Sequence, residues 1–170
     1  MRSIPRLKRI VIKAGTNILS SPDGIDMDRV RSIASQIAAL QEKGYQVLLV
    51  SSGAVGLGAK ALGHTNPVVY IGMRQACAAI GQPVLMSAYR EAFKSHGLLC
   101  AQVLITRTIL NNRTSYNNLR QSVSMLLAMG VVPIFNENDV VSTAEIGNQF
   151  GDNDRMSALV ASKIDADLLV

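Results

Sequence analysis

Residues 46–51 read QVLLVS, four consecutive apolar side chains between polar ends. An apolar run without alternation is a strand buried on both faces, as in a parallel sheet covered by helices. Residues 9–13 (RIVIK), 98–105 (LLCAQVLI), 131–135 (VVPIF) and 167–170 (DLLV) are runs of the same kind. Helical patterns fill the intervals. The clearest spans 27–43, with Asp26 as its cap, Gly44 as its stop, and Val30, Ile33, Ile37 and Leu40 three or four apart. Gly53 and Ala54 open another. Residues 67–79 and 83–95 are expected to be two helices, divided by Gly81-Gln82-Pro83. A helix over 113–129 stops at Gly130, with Met125, Leu126 and Met129 expected in the core. Residues 140–150 suit a β excursion or a long loop, and Asp152 starts a helix to about Ile164. Pro133 weakens the reading of 131–135 as a strand. The alternation predicts an α/β fold, a three-layer αβα sandwich around a mainly parallel central sheet.

Of 170 residues, 48% are hydrophobic, 17% charged and 4% aromatic, and Trp is absent. The chain can therefore bury one aliphatic core, and it is neither a disordered tail nor an aromatic platform for single-stranded nucleic acid. Net charge is +5, and Arg2, Arg6, Lys8 and Arg9 lie in the first nine residues. A basic leader over 1–8 thus precedes a domain over 9–170, and this segment is expected to bind no nucleic acid. No apolar run nears the roughly 18 residues of a membrane span, and no secretory leader is evident, so a cytoplasmic protein without a membrane partner is expected. Cys77 and Cys100, without metal-ligand spacing, are expected to be reduced buried thiols; His64 and His96 suit surface or capping roles. The chain stops inside a strand-like run, so it is expected to be the first part of a longer protein, truncated at the C-terminal end of the fold.

Ligands of such sheets bind beyond the carboxyl ends of the strands, and four segments there carry suitable residues. In Lys13-Ala14-Gly15-Thr16-Asn17, an ammonium and backbone N–H groups can face phosphate; a snorkelling lysine beside a turn fits equally. Residues 51–58 (SSGAVGLG) bring small residues to a helix N-terminus, which suits either an anion or tight helix packing. Their glycines are not in dinucleotide or P-loop order. Asn136-Glu137-Asn138-Asp139 suits an ammonium group or a solvated loop. Gly151-Asp152-Asn153-Asp154 suits an N-cap, or carboxylates that orient a lysine.

In this order, VIKAGTN (11–17), LVSSGAVGLG (49–58), RQACAAIGQ (74–82), PIFNENDVVSTAEI (133–146) and FGDNDRMSALVA (150–161) resemble the amino acid kinase family. The NENDVVSTAEI and GDND segments are closest to its glutamate-phosphorylating branch. The resemblance implies ATP-dependent phosphorylation of the γ-carboxylate of L-glutamate to L-glutamyl 5-phosphate, the first step of proline biosynthesis. By position it makes Lys13 and Asp154 catalytic and gives Lys13, Gly15 and Thr16 to ATP. Ser52, Gly53, Ala54, Asn138, Asp139, Asp152 and Asn153 fall to glutamate. It further implies Mg2+ bound mainly through nucleotide phosphates, with no protein ligand assignable, and dimers or tetramers inhibited by proline. The ATP-binding half of such kinases lies beyond the matched motifs, so this chain alone is expected to be inactive. Two other readings of the same motifs are the kinase portion of a bifunctional Δ1-pyrroline-5-carboxylate synthase and a non-catalytic amino-acid-binding domain. The first loop departs mildly from the family, reading KAGTN where KLGTS is commoner.

Overall fold

The computed structural model describes residues 7–21, 24–141 and 152–170. Its elements are β1 (Arg9–Ala14), α1 (Thr16–Leu19), β2 (Ser20–Ser21), β3 (Gly24–Ile25), α2 (Met27–Glu42), β4 (Gln46–Ser51), α3 (Ala54–Ala61) and α4 (Ile71–Lys94), then β5 (Cys100–Ile105), α5 (Arg107–Asn111), α6 (Arg113–Ala128), β6 (Val132–Glu137), α7 (Asp152–Lys163) and β7 (Leu168–Leu169). Among the described residues five strands form a wholly parallel sheet in the order β5-β6-β4-β1-β7. The short β2 and β3 pair antiparallel outside it.

Alternate residues of the buried strands feed two cores. Val47, Leu49, Val132 and Ile134 pack with Val30 and Ile37 of α2, Leu57 of α3, and Leu85, Tyr89 and Phe93 of α4. Val11, Leu48, Val50 and Phe135 pack on the other face with Leu110 of α5, Val123 and Leu127 of α6, and Met156 and Val160 of α7. The protein is the αβα sandwich that the alternation predicts. Asp26 caps α2, accepting from the Arg29 N–H at 3.1 Å.

The two helices expected over 67–95 are one, beginning at Ile71 and running through Pro83. Pro83 removes the donor for the Ala79 carbonyl, but both residues are exposed, so water can serve that carbonyl. Ten buried residues on the opposite face, from Cys77 to Phe93, hold the helix together. Gly81 is a contact rather than a breaker. A Cβ there would lie 1.8 Å from the Ala54 carbonyl oxygen, and one on Gly58 would lie 1.8 Å from that of Cys77. Only two glycines let α3 and α4 approach so closely.

Three other expectations are corrected. Pro133 lies in β6, which is central. Val132 and Asn138 donate to β5, so alternation turns the missing donor of Pro133 toward β4, just before that ladder starts at Leu49 and Ile134. Met125 and Met129 are 57% and 61% exposed, because α6 buries Val123 and Leu127 instead; Leu126 is half-buried. Cys100 is only half-buried, since β5 is an edge strand, whereas Cys77 is buried as expected; both thiols are free. The short α5 was not legible in the sequence. Residues 142–150 of the expected excursion, Gly151 and most of the basic leader lie outside the described residues.

At the opposite edge, the exposed Asp167 carboxylate accepts from the backbone N–H groups of Lys8 and Arg9, each at 2.8 Å. These two bonds, Arg9 first, hold its pKa below the ordinary 3.8. A lowered carboxylate pKa stabilises the fold above the ordinary value, and the effect is lost as pH falls below it. Asp167→Asn should therefore lower the Tm at pH 7, with the gap to wild type closing as pH falls below 4. Gly81→Ala should lower stability by about 1–3 kcal/mol in urea denaturation, because the new methyl meets backbone. Gly56→Ala, with open space around its Cβ in α3, should raise it by about 0.5–1 kcal/mol.

Candidate active site

The chain leaves β4 into α3 and α4, which cover one face of the sheet. It returns to β6 through α5 and α6, and α7 follows β6 in sequence; all three lie on the other face. Neighbouring strands whose connections depart to opposite faces leave a crevice at their carboxyl ends, the usual ligand position in open α/β sheets. Here that crevice lies between β4 and β6. Their ladder ends at Val50 and Phe135, and both chains run on past it.

On the α4 side the crevice wall is polar and buried. Ser51 Oγ and Tyr89 Oη lie 2.9 Å apart. Burial lifts the Tyr89 pKa to about 12, against a smaller opposing effect of the Ser51 hydrogen bond. Asn136 Nδ2 donates to Gln82 Oε1 at 2.8 Å, and the Glu137 N–H donates to Asn136 Oδ1 at 2.9 Å. Ser52 follows at the strand end, 3% exposed. Among the described residues neither Ser52 Oγ nor Gln82 Nε2 has a partner. Gly53 takes a left-handed conformation (φ 103°) and starts α3 without a side-chain cap. The first turn of α3, from Ala54, also carries no acidic residue, so its N–H groups remain open to an anion.

The α7 side carries charged groups. Alternation along β1 sends Val11 and Lys13 toward α7, and Lys13 Nζ pairs with Asp154 Oδ1 at 2.8 Å. Lys13 folds over Gly15, where a Cβ would stand 3.1 Å from its Nζ. Thr16 opens α1 and is exposed. Asn138 donates its N–H to the Ile105 carbonyl at 2.8 Å, and Asp139, half-buried, begins the turn after β6. Asp152 and Asn153 are the first two residues of α7. The described residues of the four segments singled out in the sequence therefore lie at one edge of the sheet.

Asn136 and Glu137 belong to β6, not to the loop after it, and Asn136 is buried. Gln82 and Tyr89 were not foreseen as site residues. They are seven apart, two turns of one helix face, beside Leu85 and Met86. A helix break expected at Gly81 concealed that spacing.

A parallel αβα sandwich with a lysine and an uncapped helix N-terminus at its carboxyl edge presents groups that an anion could use. The chain belongs to the amino acid kinase family, whose profile matches residues 8–170. It is similar to the glutamate 5-kinase of Methanosarcina barkeri, with 48% identity over 96% of this chain and 45% of that protein. The glutamate 5-kinases of Methanococcoides burtonii (48% identity; 96% and 44% coverage) and Trichlorobacter lovleyi (44% identity; 98% and 44%) are also similar. The chain thus spans less than half the length of the curated relatives it matches.

Of the four tyrosines, Tyr89 should ionise near pH 12 in a spectrophotometric titration. A raised tyrosine pKa stabilises the fold below the ordinary value of about 10, and that contribution fades as pH rises toward 12. Tyr89→Phe should lower stability by about 1 kcal/mol at pH 7, and by less above pH 10, as measured by urea denaturation.

Proposed function

We propose that the chain forms the glutamate-binding and phosphate-facing part of a kinase that transfers a phosphoryl group from ATP to the γ-carboxylate of L-glutamate. One observation carries the reading. The crevice opposes a lysine held by a carboxylate to a wall of buried hydrogen-bond donors. Phosphoryl transfer needs alignment and charge neutralisation more than covalent help. Lys13 would neutralise the transferring group, and Asp154 would hold its ammonium in place. The bare Gly15 leaves room for Lys13 to fold back, while Gly15 and Thr16 would add contacts to the ATP phosphates.

Glutamate offers two carboxylates and an ammonium. Ser52 and the N–H groups near Gly53 and Ala54 suit a carboxylate, and Asp139 suits the ammonium. Asn138, Asp152 and Asn153 complete the proposed shell. Among the described residues no cluster of three His, Cys, Asp or Glu could hold a metal ion. Magnesium would therefore arrive on the nucleotide phosphates and neutralise charge there.

No helix among the described residues is long and apolar enough to cross a membrane. The two free thiols suit a reducing compartment, and on that ground we place the protein in the cytoplasm. Exposed Met73, Ile80 and Val84 along α4 support self-association into a dimer or larger oligomer. Proline, which keeps the α-carboxylate and amine of glutamate, would inhibit by competing for the same donors.

Asp139→Ala should remove a charge-assisted contact worth about 1.5–3 kcal/mol. That corresponds to about a tenfold to 150-fold loss of L-glutamate affinity. Affinity for ATP should change little. Steady-state kinetics of the full-length parent, with each substrate varied in turn, checks this; an unchanged glutamate KM beside a raised ATP KM would put the wrong ligand over this turn.

A further inference from the structure

The amide of Gln82 has its orientation set by a chain of donors. A backbone N–H can only donate, so the Glu137 N–H fixes Asn136 Oδ1 as an acceptor. Asn136 must then present Nδ2 to Gln82, and Gln82 must present Oε1 in return. The free end of Gln82 is consequently its NH2 group. It is buried, belongs to a residue only 8% exposed, and has no partner among the described residues. Buried donors are rarely left unpaired, because the lost solvation is not recovered.

That NH2 lies near the N-terminal half of α3 and the ends of β4 and β6. Gly81, the preceding residue, lies against α3 at the Ala54 carbonyl and Gly58 nitrogen. Asn136, on its other side, lies one residue past the Val50–Phe135 register, level with Ser51 and next to Ser52. Ser52 Oγ is the second unpartnered buried group. A carboxylate could accept from both unpartnered groups, the Gln82 NH2 and the Ser52 hydroxyl, whereas an ammonium offers no acceptor to the Gln82 NH2. Lys13 lies two strands away across the sheet, about 10 Å at the ordinary strand spacing. The carboxylate near Gln82 is therefore the one remote from the transferring phosphoryl group.

We infer that Gln82 is a substrate-binding residue that donates a hydrogen bond from Nε2 to the α-carboxylate of the amino acid, and that Asn136 positions it by fixing the amide orientation. The inference rests on the glutamate reading above and adds a contact that the sequence motifs did not supply.

Gln82→Glu is the discriminating substitution. It keeps an oxygen for Asn136 Nδ2 and turns the free donor into an acceptor. By calorimetry, L-glutamate should bind Gln82→Glu at least about tenfold more weakly than the unsubstituted chain. 4-Aminobutyrate, which lacks the α-carboxylate, should bind both with similar affinity. A second readout does not depend on the variant's stability. In 15N-resolved spectra of the unsubstituted chain, the Gln82 side-chain NH2 pair should shift when L-glutamate is added and stay in place with 4-aminobutyrate. An NH2 pair unmoved by saturating L-glutamate, or an undiminished affinity in folded Gln82→Glu, would overturn the role of Gln82 while leaving the glutamate reading intact. An unsubstituted chain that binds no L-glutamate would overturn both.

Discussion

Two glycines facing each other's backbones decide how the polar side of the crevice is built. With Gly58 against Cys77 and Gly81 against Ala54, α4 lies closer to α3 than any side chain would allow. That approach places Gln82 over the end of β6 and Tyr89 over the end of β4, two turns apart on one helix. One rigid helix thereby spans the adjacent strand ends that flank the crevice. A wider gap would cost Asn136 Nδ2 its acceptor on Gln82 and Ser51 Oγ its contact with Tyr89, each an unfavourable loss in a dry interior.

The two walls of the crevice differ because strand periodicity forces them to. Residues alternate between faces, so on β1 Lys13 joins the α7 side, while on β4 and β6 Ser51 and Asn136 join the α4 side. Charge and neutral donors are thus separated by the pleat itself. The Lys13–Asp154 pair is 30% and 70% exposed, so solvent screens it and it adds little to stability. The neutral wall is buried and gains rigidity from its hydrogen bonds. A partly solvated ion pair therefore stands opposite a buried, hydrogen-bonded wall.

Much of this was legible in the residues. QVLLVS and RIVIK mark buried strands, the spacing of Val30, Ile33, Ile37 and Leu40 marks α2, and the polar segments after the strands mark the edge where the site lies. What escaped depended on contacts distant in sequence. Pro83 looks like a helix end because local chemistry disfavours it there, but ten buried residues along the helix outweigh that preference. Met125 and Met129 look like core because methionine is apolar; only the placement of α6 shows that Val123 and Leu127 face inward. Pro133 looks unsuited to a strand, since nothing local reveals which neighbour its missing donor faces. Gln82 was hidden twice, by the apparent break beside it and by a partner 54 residues away.

The bonds of Asp167 to Lys8 and Arg9 have a kinetic side. Arg9 meets Gln46 of β4 across 37 residues, but it meets Asp167 across 158. Closing the longer loop costs about 1.3 kcal/mol more in chain entropy, and β7 repays it with only two ladder pairs. The order of assembly follows from that imbalance. The β1–α2–β4 unit can form early from nearer contacts, while β7 docks on a sheet edge already in place. Until it does, β1 is an edge strand with open backbone groups, so the interval before docking is when this fold is most exposed to pairing with another chain.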